Sequence, residues 1–223
     1  MKRLIVIFAV AFLYVTGLSA QDAEAIKERK ALARLSESEL NSKATKAARK
    51  AAKEYEREGW QVAPGALPLE KQLDRMYKMQ YEFDDNGFPK YIVGEGMSEG
   101  GNYDAAKMQA LEFAKQNLAG QISTEVTALV ESSVANSQMD AGQVASLAET
   151  VSASKNLISQ RIGRVITVVD CFRVKSGTKN KEVRVVIAYN SEMALKSAAA
   201  TVREQLEKKG EKLHADLDKL LGF

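Results

Sequence analysis

Apolar residues recur at helical spacing over most of the chain and alternate over a few short stretches. The first clear helical pattern lies at positions 40–55, in a segment rich in Ala, Lys, Glu and Arg, which is typical of an amphipathic helix. Ser36 and Glu39 have the spacing of a capping box, and Gly59 suits the residue after a helix end. The pattern therefore predicts a helix over about residues 37–58.

A second helix and a first strand are predicted next along the chain. Pro68 suits the first turn of a helix whose apolar positions run from 69 to 79. The pair Asn86 and Gly87 indicates a turn, and apolar residues alternate over 90–97. We expect a strand there, so the order at this point is helix, turn, strand.

A long helix is predicted in the middle of the chain. Asn102 can cap it, and apolar residues follow in helical rows over 105–130, with Gly120 a possible kink. The polar stretch 132–140 is predicted to be a loop before a second helix containing positions 144–158. These two helices could form a hairpin.

The clearest β-hairpin lies in the last third of the chain. Residues 164–175 are dense in β-branched types, 176–180 form a turn, and apolar residues alternate over 182–189. A helix capped by Asn190 or Ser191 is predicted to follow. The hairpin supplies two strands of the predicted sheet, and this helix is one of the elements that cover it.

The whole order predicts an α+β fold with a small antiparallel or mixed sheet packed by long helices, and with a helical N-terminal extension. We divide the chain into a signal peptide (1–20), a charged Ala-rich helical segment (21–59) and an α+β domain (60–223) with C-terminal helices. The last of these helices is a short amphipathic one at positions 213–221.

The N-terminus has the pattern of an export signal. Lys2 and Arg3 precede an apolar run at 4–15 that is shorter than the roughly 20 residues of a membrane-spanning helix. We expect cleavage after Ala20, and a retained anchor is the alternative. The predicted location is the periplasm or the periplasmic face of the outer membrane, with no transmembrane span left after cleavage.

Charge and cysteine content narrow the possible partners. The formal net charge is +3, and loss of the two basic signal residues leaves +1, while aromatic residues make up 7%. Such a chain lacks the basic footprint of a nucleic-acid-binding protein and has few aromatic platforms for stacking on bases. The single cysteine, Cys171, leaves an exported chain with no internal disulfide to form, and its alternating surroundings predict packing in the sheet.

The residues with catalytic potential are few. His214 is the only histidine, so zinc sites and Ser-His-Asp catalysis are disfavoured. The glycine-rich run at 94–101 lacks the Gly-Lys-Ser/Thr ending of a phosphate-binding loop, and Glu95 and Glu99 would repel phosphate. The sequence therefore predicts no catalytic residue, no metal site and no cofactor.

We expect three residues to shape the backbone rather than to take part in chemistry. Gly94 and Gly96 would allow a backbone to approach closely or a bulge to form, and Asn102 would cap the long helix. These are structural roles.

Part of the chain resembles the LPP20 lipoprotein family, whose domain is similar to the N-terminal domain of the flagellar protein FlgT. The residues that carry the resemblance are the strand YIVGEG at 91–96, the helix AAKMQALEFAKQNLAGQI at 105–122 and the later hairpin. It covers about residues 90–190. The resemblance implies a small α+β domain, an envelope location and a structural or assembly role, but this chain lacks the cysteine that lipidation requires.

Three hypotheses for function follow. The first is a non-enzymatic envelope protein that contacts an envelope protein partner or itself, with the charged N-terminal helix as a docking element. The second is a periplasmic module that binds peptidoglycan, another glycan or a small ligand, with Trp60, Tyr81 and Tyr91 as possible contacts. The third and least favoured is a hydrolase in which two carboxylates converge.

Overall fold

The computed structural model describes residues 43–84, 87–135 and 141–208. These residues form six helices and a three-stranded sheet, which confirms the predicted α+β class. In chain order the elements are α1 (Lys46–Arg57), α2 (Leu69–Gln80), β1 (Tyr91–Gly100), α3 (Tyr103–Ala135), α4 (Ala141–Ala153), α5 (Lys155–Arg161), β2 (Ile166–Val174), β3 (Lys181–Asn190) and α6 (Ser191–Lys208).

The sheet is antiparallel, with the strand order β1-β3-β2. The central strand β3 is buried on both faces, because Val183, Val185 and Ile187 pack with α3 to α6 while Val186 and Ala188 pack with α1 and α2. Burying each such side chain contributes about 1.5–3 kcal/mol. The sheet is therefore the middle layer between two helical layers.

The closest contact between layers is that of β1 with α3. A Cβ at Gly94 would lie 2.5 Å from the Ala114 carbonyl oxygen, and one at Gly96 would overlap the Ala110 carbonyl oxygen. The predicted close backbone approach is thereby confirmed. It also explains why two glycines are placed in a strand, where each costs conformational entropy.

Helix α3 begins as predicted and runs further than predicted. The Asn102 Oδ1 accepts a hydrogen bond from the Ala105 N–H at 2.9 Å, so Asn102 caps the helix. The helix then continues through Gly120 to Ala135, although a loop was expected from residue 132. The glycine causes no interruption in the helix.

The predicted second helix at 144–158 is wrong in one respect, because it consists of two helices. The break lies at Ser154, whose Oγ donates to the Thr150 carbonyl oxygen at 2.7 Å while its N–H is shared between the carbonyls of Thr150 and Val151. Such back-bonding by a serine competes with the regular helical ladder. Helix α4 therefore ends at Ala153 and α5 begins at Lys155.

Helix α1 begins at Lys46, so the prediction of one helix over 37–58 is wrong for residues 43–45, which are not helical. Thr45 is the N-cap, and its Oγ1 accepts from the Ala48 N–H at 3.3 Å. Ser36 and Glu39 lie outside the described residues. Because Ala48 and Ala52 are fully buried against the sheet layer, α1 belongs to the compact unit that begins at Ala44.

The C-terminal end of α1 follows the predicted pattern. Gly59 has a φ of +86° and donates to the Glu56 carbonyl, while the Trp60 N–H donates to the Tyr55 carbonyl at 3.0 Å. This is a Schellman motif, and the rings of Tyr55 and Trp60 supply its hydrophobic contact with centroids 6.2 Å apart. The motif turns the chain toward the edge strand β2, where Gln61 bridges Phe172.

The β2–β3 hairpin and the start of α6 also match the prediction. Gly177 has a φ of +78° in the turn, and the Asn190 Oδ1 caps α6 by accepting from the Met193 N–H at 2.9 Å. Among the described helices, none combines the length and apolar character needed to cross a membrane. The predicted signal peptide, His214 and the terminal helix at 213–221 lie outside the described residues.

We predict that Gly96→Ala lowers the free energy of unfolding by about 3 kcal/mol, because the new methyl group forces β1 and α3 apart. Urea unfolding followed by circular dichroism measures this. Gly101→Ala is the matched control, since a Cβ there meets nothing within 4 Å and should leave stability unchanged or slightly higher. Equal effects of the two substitutions would contradict the close-approach interpretation.

Asp74 joins the two helices that cover one face of the sheet. Its Oδ1 accepts the Thr45 N–H at 2.9 Å, and its Oδ2 lies 3.6 Å from the Lys78 ammonium. Burial acts to raise the pKa of Asp74, but the hydrogen bond from Thr45 and the charge of Lys78 outweigh it, so the pKa lies below the usual value. Asp74 thus satisfies the N-cap backbone of α1 from a neighbouring helix.

We predict that Asp74→Asn lowers the free energy of unfolding by about 1 kcal/mol at neutral pH, because charge-assisted hydrogen bonds become neutral ones. A depressed folded-state pKa means that the carboxylate stabilises the fold fully above about pH 4 and loses this effect as the pH falls through the folded pKa. The difference between the two proteins in urea unfolding should therefore shrink below about pH 4. A difference that stays constant from pH 7 to pH 3 would refute the role of the charge.

Candidate functional site

A cleft of about 810 Å³ lies beside the first residues of β1. Polar residues and a few apolar residues form its walls. The lining residues are Gln80, Pro89, Tyr91, Ile92, Val93, Asn117, Gly120, Gln121, Thr124, Glu125, Ala128, Lys155 and Ser191. We refer to this feature as the cleft.

One face of α3 supplies most of the polar wall. Asn117, Gln121, Thr124 and Ala128 follow one another at spacings of three or four residues, which places them on the same side of the helix. The opposite face of α3 carries Leu118, Ile122 and Val126 into the core. The sequence folds this way locally because small and apolar residues seat α3 on the sheet and leave its polar row outward.

Internal hydrogen bonds hold the amides of this wall. The Gln121 Nε2 donates to the Val93 carbonyl oxygen at 2.8 Å and to the Asn117 Oδ1 at 2.7 Å. The Thr124 hydroxyl donates to the Gly120 carbonyl oxygen at 2.9 Å. Gln121 therefore ties α3 to the edge strand β1, and the donors and acceptors that remain have fixed positions.

Two side chains of opposite charge face the cleft. Glu125 extends from α3 and Lys155 from the start of α5; both are exposed, and neither makes a hydrogen bond or an ion pair within the described part of the chain. Loss of hydration raises the pKa of Glu125 above its usual value. Both charges are therefore available to a bound molecule.

Gly120 makes room for Lys155. A Cβ at residue 120 would lie 3.2 Å from both the Cε and the Nζ of Lys155, so the lysine side chain lies over the helix at the one position without a side chain. A glycine inside a helix costs about 1 kcal/mol relative to alanine. An alanine here would require the exposed Lys155 side chain to move by a few tenths of an ångström.

Residues 81–84, which follow Gln80, and 87–90, which precede Tyr91, are paired antiparallel, and we term these two segments the aromatic hairpin. Its side chains Tyr81, Phe83 and Phe88 are 68%, 52% and 67% exposed. The hairpin is held by a bridge between Phe83 and Pro89 and by the ion pair of Lys90 with Glu82 at 3.0 Å. Three aromatic rings, two of phenylalanine and one of tyrosine, are thus exposed to solvent on hydrogen-bonded segments.

The structure separates the three aromatic residues proposed as contacts. Tyr91 is among the lining residues of the cleft, but its side chain packs with the core cluster of α1 and α2, and Tyr81 follows Gln80 at the margin of the cleft. Trp60 is only 5% exposed, its Nε1 donates to Glu58, and the Arg173 guanidinium lies 4.6 Å from its ring centroid. The ring of Trp60 is therefore occupied by internal contacts.

Glu125 and Lys155 were not singled out by sequence reasoning. Charged residues make up 27% of the chain, and no motif marks these two. A glycine in the middle of a helix was the available signal, and it was interpreted as a possible kink.

A second cluster of charged and polar side chains is satisfied by contacts within the protein. On the α3 side of β2, the Tyr103 hydroxyl donates to both carboxylate oxygens of Asp170 at 2.8 Å, and the Lys107 ammonium lies 2.5 Å from Asp170. Burial and the neighbouring carboxylate raise the pKa of Tyr103. The three groups satisfy one another and close the gap between α3 and the sheet edge.

Cys171 packs in the sheet as predicted. It is fully buried beneath α1, and burial raises the pKa of its thiol to about 12. The thiol is therefore protonated at neutral pH, which is unlike a nucleophilic cysteine. No group of three His, Cys, Asp or Glu residues suited to a metal ion occurs within residues 43–84, 87–135 and 141–208.

Comparison with known protein families and with curated proteins gives no match. Among solved structures, the chain is similar to a hypothetical protein from Francisella tularensis, with 20% sequence identity and a TM-score of 0.28. The similarity covers 63% of this chain and 45% of the other, so the chain spans less than half the length of that protein.

Proposed function

We propose that this protein is exported to the bacterial cell envelope and has a non-enzymatic structural or assembly role there. Support for export comes from the basic and apolar pattern of residues 1–20. Support for the role comes from the resemblance to the LPP20 family over about residues 90–190. The proposed partner is another envelope protein or a second copy of the chain.

The observation that carries the proposal is the aromatic hairpin. Exposed aromatic rings on a structured support are the side chains that most often anchor protein interfaces, because they bury much area at little cost in conformational entropy. Tyr81, Phe83 and Phe88 have this arrangement. We propose that they contact an apolar surface of the envelope protein partner.

Integration of α1 into the core changes the proposed role of the N-terminal segment. Ala44, Ala48 and Ala52 are buried against the second core cluster, so α1 cannot leave the domain without exposing that cluster. If α1 takes part in docking, it does so through its exposed charged face while it stays packed on the domain. The aromatic hairpin is the stronger candidate for the contact surface.

We predict that a photo-cross-linking amino acid at Phe88 captures a specific envelope protein in living cells, because this ring is exposed on the aromatic hairpin. The measurement is mass spectrometry of cross-linked species from separated envelope fractions. The same amino acid at Lys179 is the matched control, since this exposed position lies in the β2–β3 turn at the other end of the sheet.

Capture from Phe88 but not from Lys179 supports the assembly role and identifies the partner. A cross-linked dimer of the chain would show that the partner is a second copy of the same chain. Recovery of the free monomer alone from both positions, or its presence only in the cytoplasmic fraction, would overturn the proposal.

A second candidate function is the binding of a glycan or a small envelope ligand, and the composition of the cleft favours it. The fixed side-chain amides of Asn117 and Gln121 can bond the hydroxyl or acetamido groups of a sugar. A hydrolase of the two-carboxylate type is less favoured, because Glu125 is the one acidic residue in this lining.

We predict that a neutral N-acetylated oligosaccharide from peptidoglycan shifts the NMR signals of the Asn117 and Gln121 side-chain amides. Gln121→Leu should weaken this binding roughly tenfold, since a neutral hydrogen bond and its geometry are lost. Gln116→Leu is the control, because Gln116 is exposed on α3 away from the cleft. Unchanged signals at saturating sugar would argue against a glycan site. Tryptophan fluorescence is a poor readout, given the burial of Trp60.

A further inference from the structure

We infer that the outer edge of β1 pairs with β1 of a second copy of the chain, antiparallel and centred on Met97, so that the sheets of the two copies become one. This inference rests on the assembly role proposed above, and it names one partner and the surface that binds it. It does not depend on the contact proposed for the aromatic hairpin, which involves other residues.

The first step is the direction of the backbone groups of β1. Successive residues of an edge strand point their N–H and C=O groups alternately toward the neighbouring strand and away from it. The Ser191 N–H, which continues β3, donates to the Lys90 carbonyl oxygen at 2.9 Å. The Val93 carbonyl oxygen instead accepts from the Gln121 side chain of α3. Even-numbered residues of β1 therefore face β3, and odd-numbered residues face outward.

The outward backbone groups of Glu95, Met97 and Glu99 form an open stretch of this edge. They have no hydrogen-bond partner among the residues that the structure describes. The pairing of β1 with β3 continues over all ten strand residues without a register shift, so these groups lie in one regular row. An extended chain is the partner that such a row fits, because its own N–H and C=O groups have the same spacing.

The edge formed by β2 differs from that of β1. A register shift lies between Thr167 and Val169, and the N–H and C=O groups of Phe172 are bonded to Gln61 at 2.8 Å. Irregular pairing and a covering segment are two ways in which proteins keep an edge strand from pairing with another chain. Residues 95–99 of β1 have neither protection within the part of the chain that the structure describes.

The two glutamates of the open stretch are held by cations of the same chain. The Arg184 guanidinium donates to Glu95 at 2.8 Å, and the Lys175 ammonium donates to Glu99 at 2.5 Å. Both cations belong to the β2–β3 hairpin, on the inner side of β1. The carboxylates are therefore drawn inward, and a strand that approaches the edge meets neutralised ion pairs instead of two free negative charges.

The side-chain pattern about Met97 selects a second copy as the occupant. Residues 94–100 read GEGMSEG, so glutamates lie two positions on either side of Met97 and only glycine or serine fills the positions between. In an antiparallel pair with its two-fold axis at Met97, each Glu95 lies opposite Glu99 of the second copy. The small residues face α3 and bring no bulk to the junction.

This register also uses every open backbone group. Val93 is already bonded to α3 and the strand ends at Gly100, so the open stretch is itself centred on Met97. All three of its residues fall in hydrogen-bonded pairs, each of which exchanges two backbone bonds. The Met97 side chain, which is 47% exposed, would be covered by Met97 of the second copy.

The first test is sedimentation equilibrium of the purified full chain over a concentration series. We expect a monomer–dimer equilibrium, and we expect Met97→Glu to raise the dimer dissociation constant at least tenfold, because it places two unpaired carboxylates directly opposite each other. Val174→Glu is the matched control, since Val174 is 49% exposed on the other edge strand. It should leave the dissociation constant unchanged. Equal urea midpoints would show that both variants fold.

The second test fixes the register by disulfide trapping. In a hydrogen-bonded antiparallel pair the opposed Cα atoms lie about 5.5 Å apart, within the range of roughly 4.4–6.8 Å that a disulfide spans. Met97→Cys should therefore form a covalent dimer in oxidised glutathione, at least tenfold faster than Val174→Cys at the same concentration. The native thiol, Cys171, is fully buried and should not contribute.

A chain that stays monomeric over the whole concentration series would overturn the inference. So would a dimer that Met97→Glu does not weaken, since another surface would then hold it, or equal rates of disulfide formation for the two cysteine variants. A monomer whose Phe88 still captures an envelope protein would reject pairing at β1 and keep the proposed assembly role. A dimer through Met97 without capture from Phe88 would support the pairing and reject the contact at the aromatic hairpin.

Discussion

The rest of the structure depends on the contact between α3 and β1. The backbones of these two elements meet with no side chain between them. Gly94 and Gly96 present bare backbone to the carbonyl groups of Ala114 and Ala110. Close packing of this kind gains dispersion contacts along ten strand residues and fixes the height of the helix above the sheet. At this height Gln121 reaches the Val93 carbonyl, so the same contact that builds the core also defines one wall of the cleft.

The opposite face of the sheet is built on another principle. Alanines of α1 bring that helix close, and the remaining space is filled by arginines that lie over aromatic rings. The Arg173 guanidinium lies over Trp60, and the Arg184 guanidinium lies 5.1 Å from the centroid of the Tyr55 ring. Each arginine is also paired with a glutamate, which lowers the cost of partial burial. Trp60 is thus a structural residue that shields an ion pair.

Much of this fold could be predicted from the sequence because local signals and tertiary packing agree. Asn102, Gly59 and Asn190 act at helix ends as their residue types predict, and the alternation around Gly177 gives the hairpin. The start of α1 could not be predicted, since the strongest local signal lay at Ser36. The Thr45 cap depends on Asp74, which is 29 residues away and belongs to another helix. No local pattern contains that information.

The candidate site was less predictable for the same reason. Aromatic residues are conspicuous in a sequence, but their type does not say whether they face inward, and Trp60 and Tyr81 have opposite environments. The charged pair of the cleft is made by residues 30 positions apart in a chain where charge is common. A glycine inside a long amphipathic helix was the informative feature. In a strand, Gly94 and Gly96 remove side chains so that backbones can meet; in α3, Gly120 removes one so that a lysine from another helix can lie there. The same residue type therefore serves a backbone contact in the strand and a side-chain contact in the helix, and only the tertiary structure distinguishes the two.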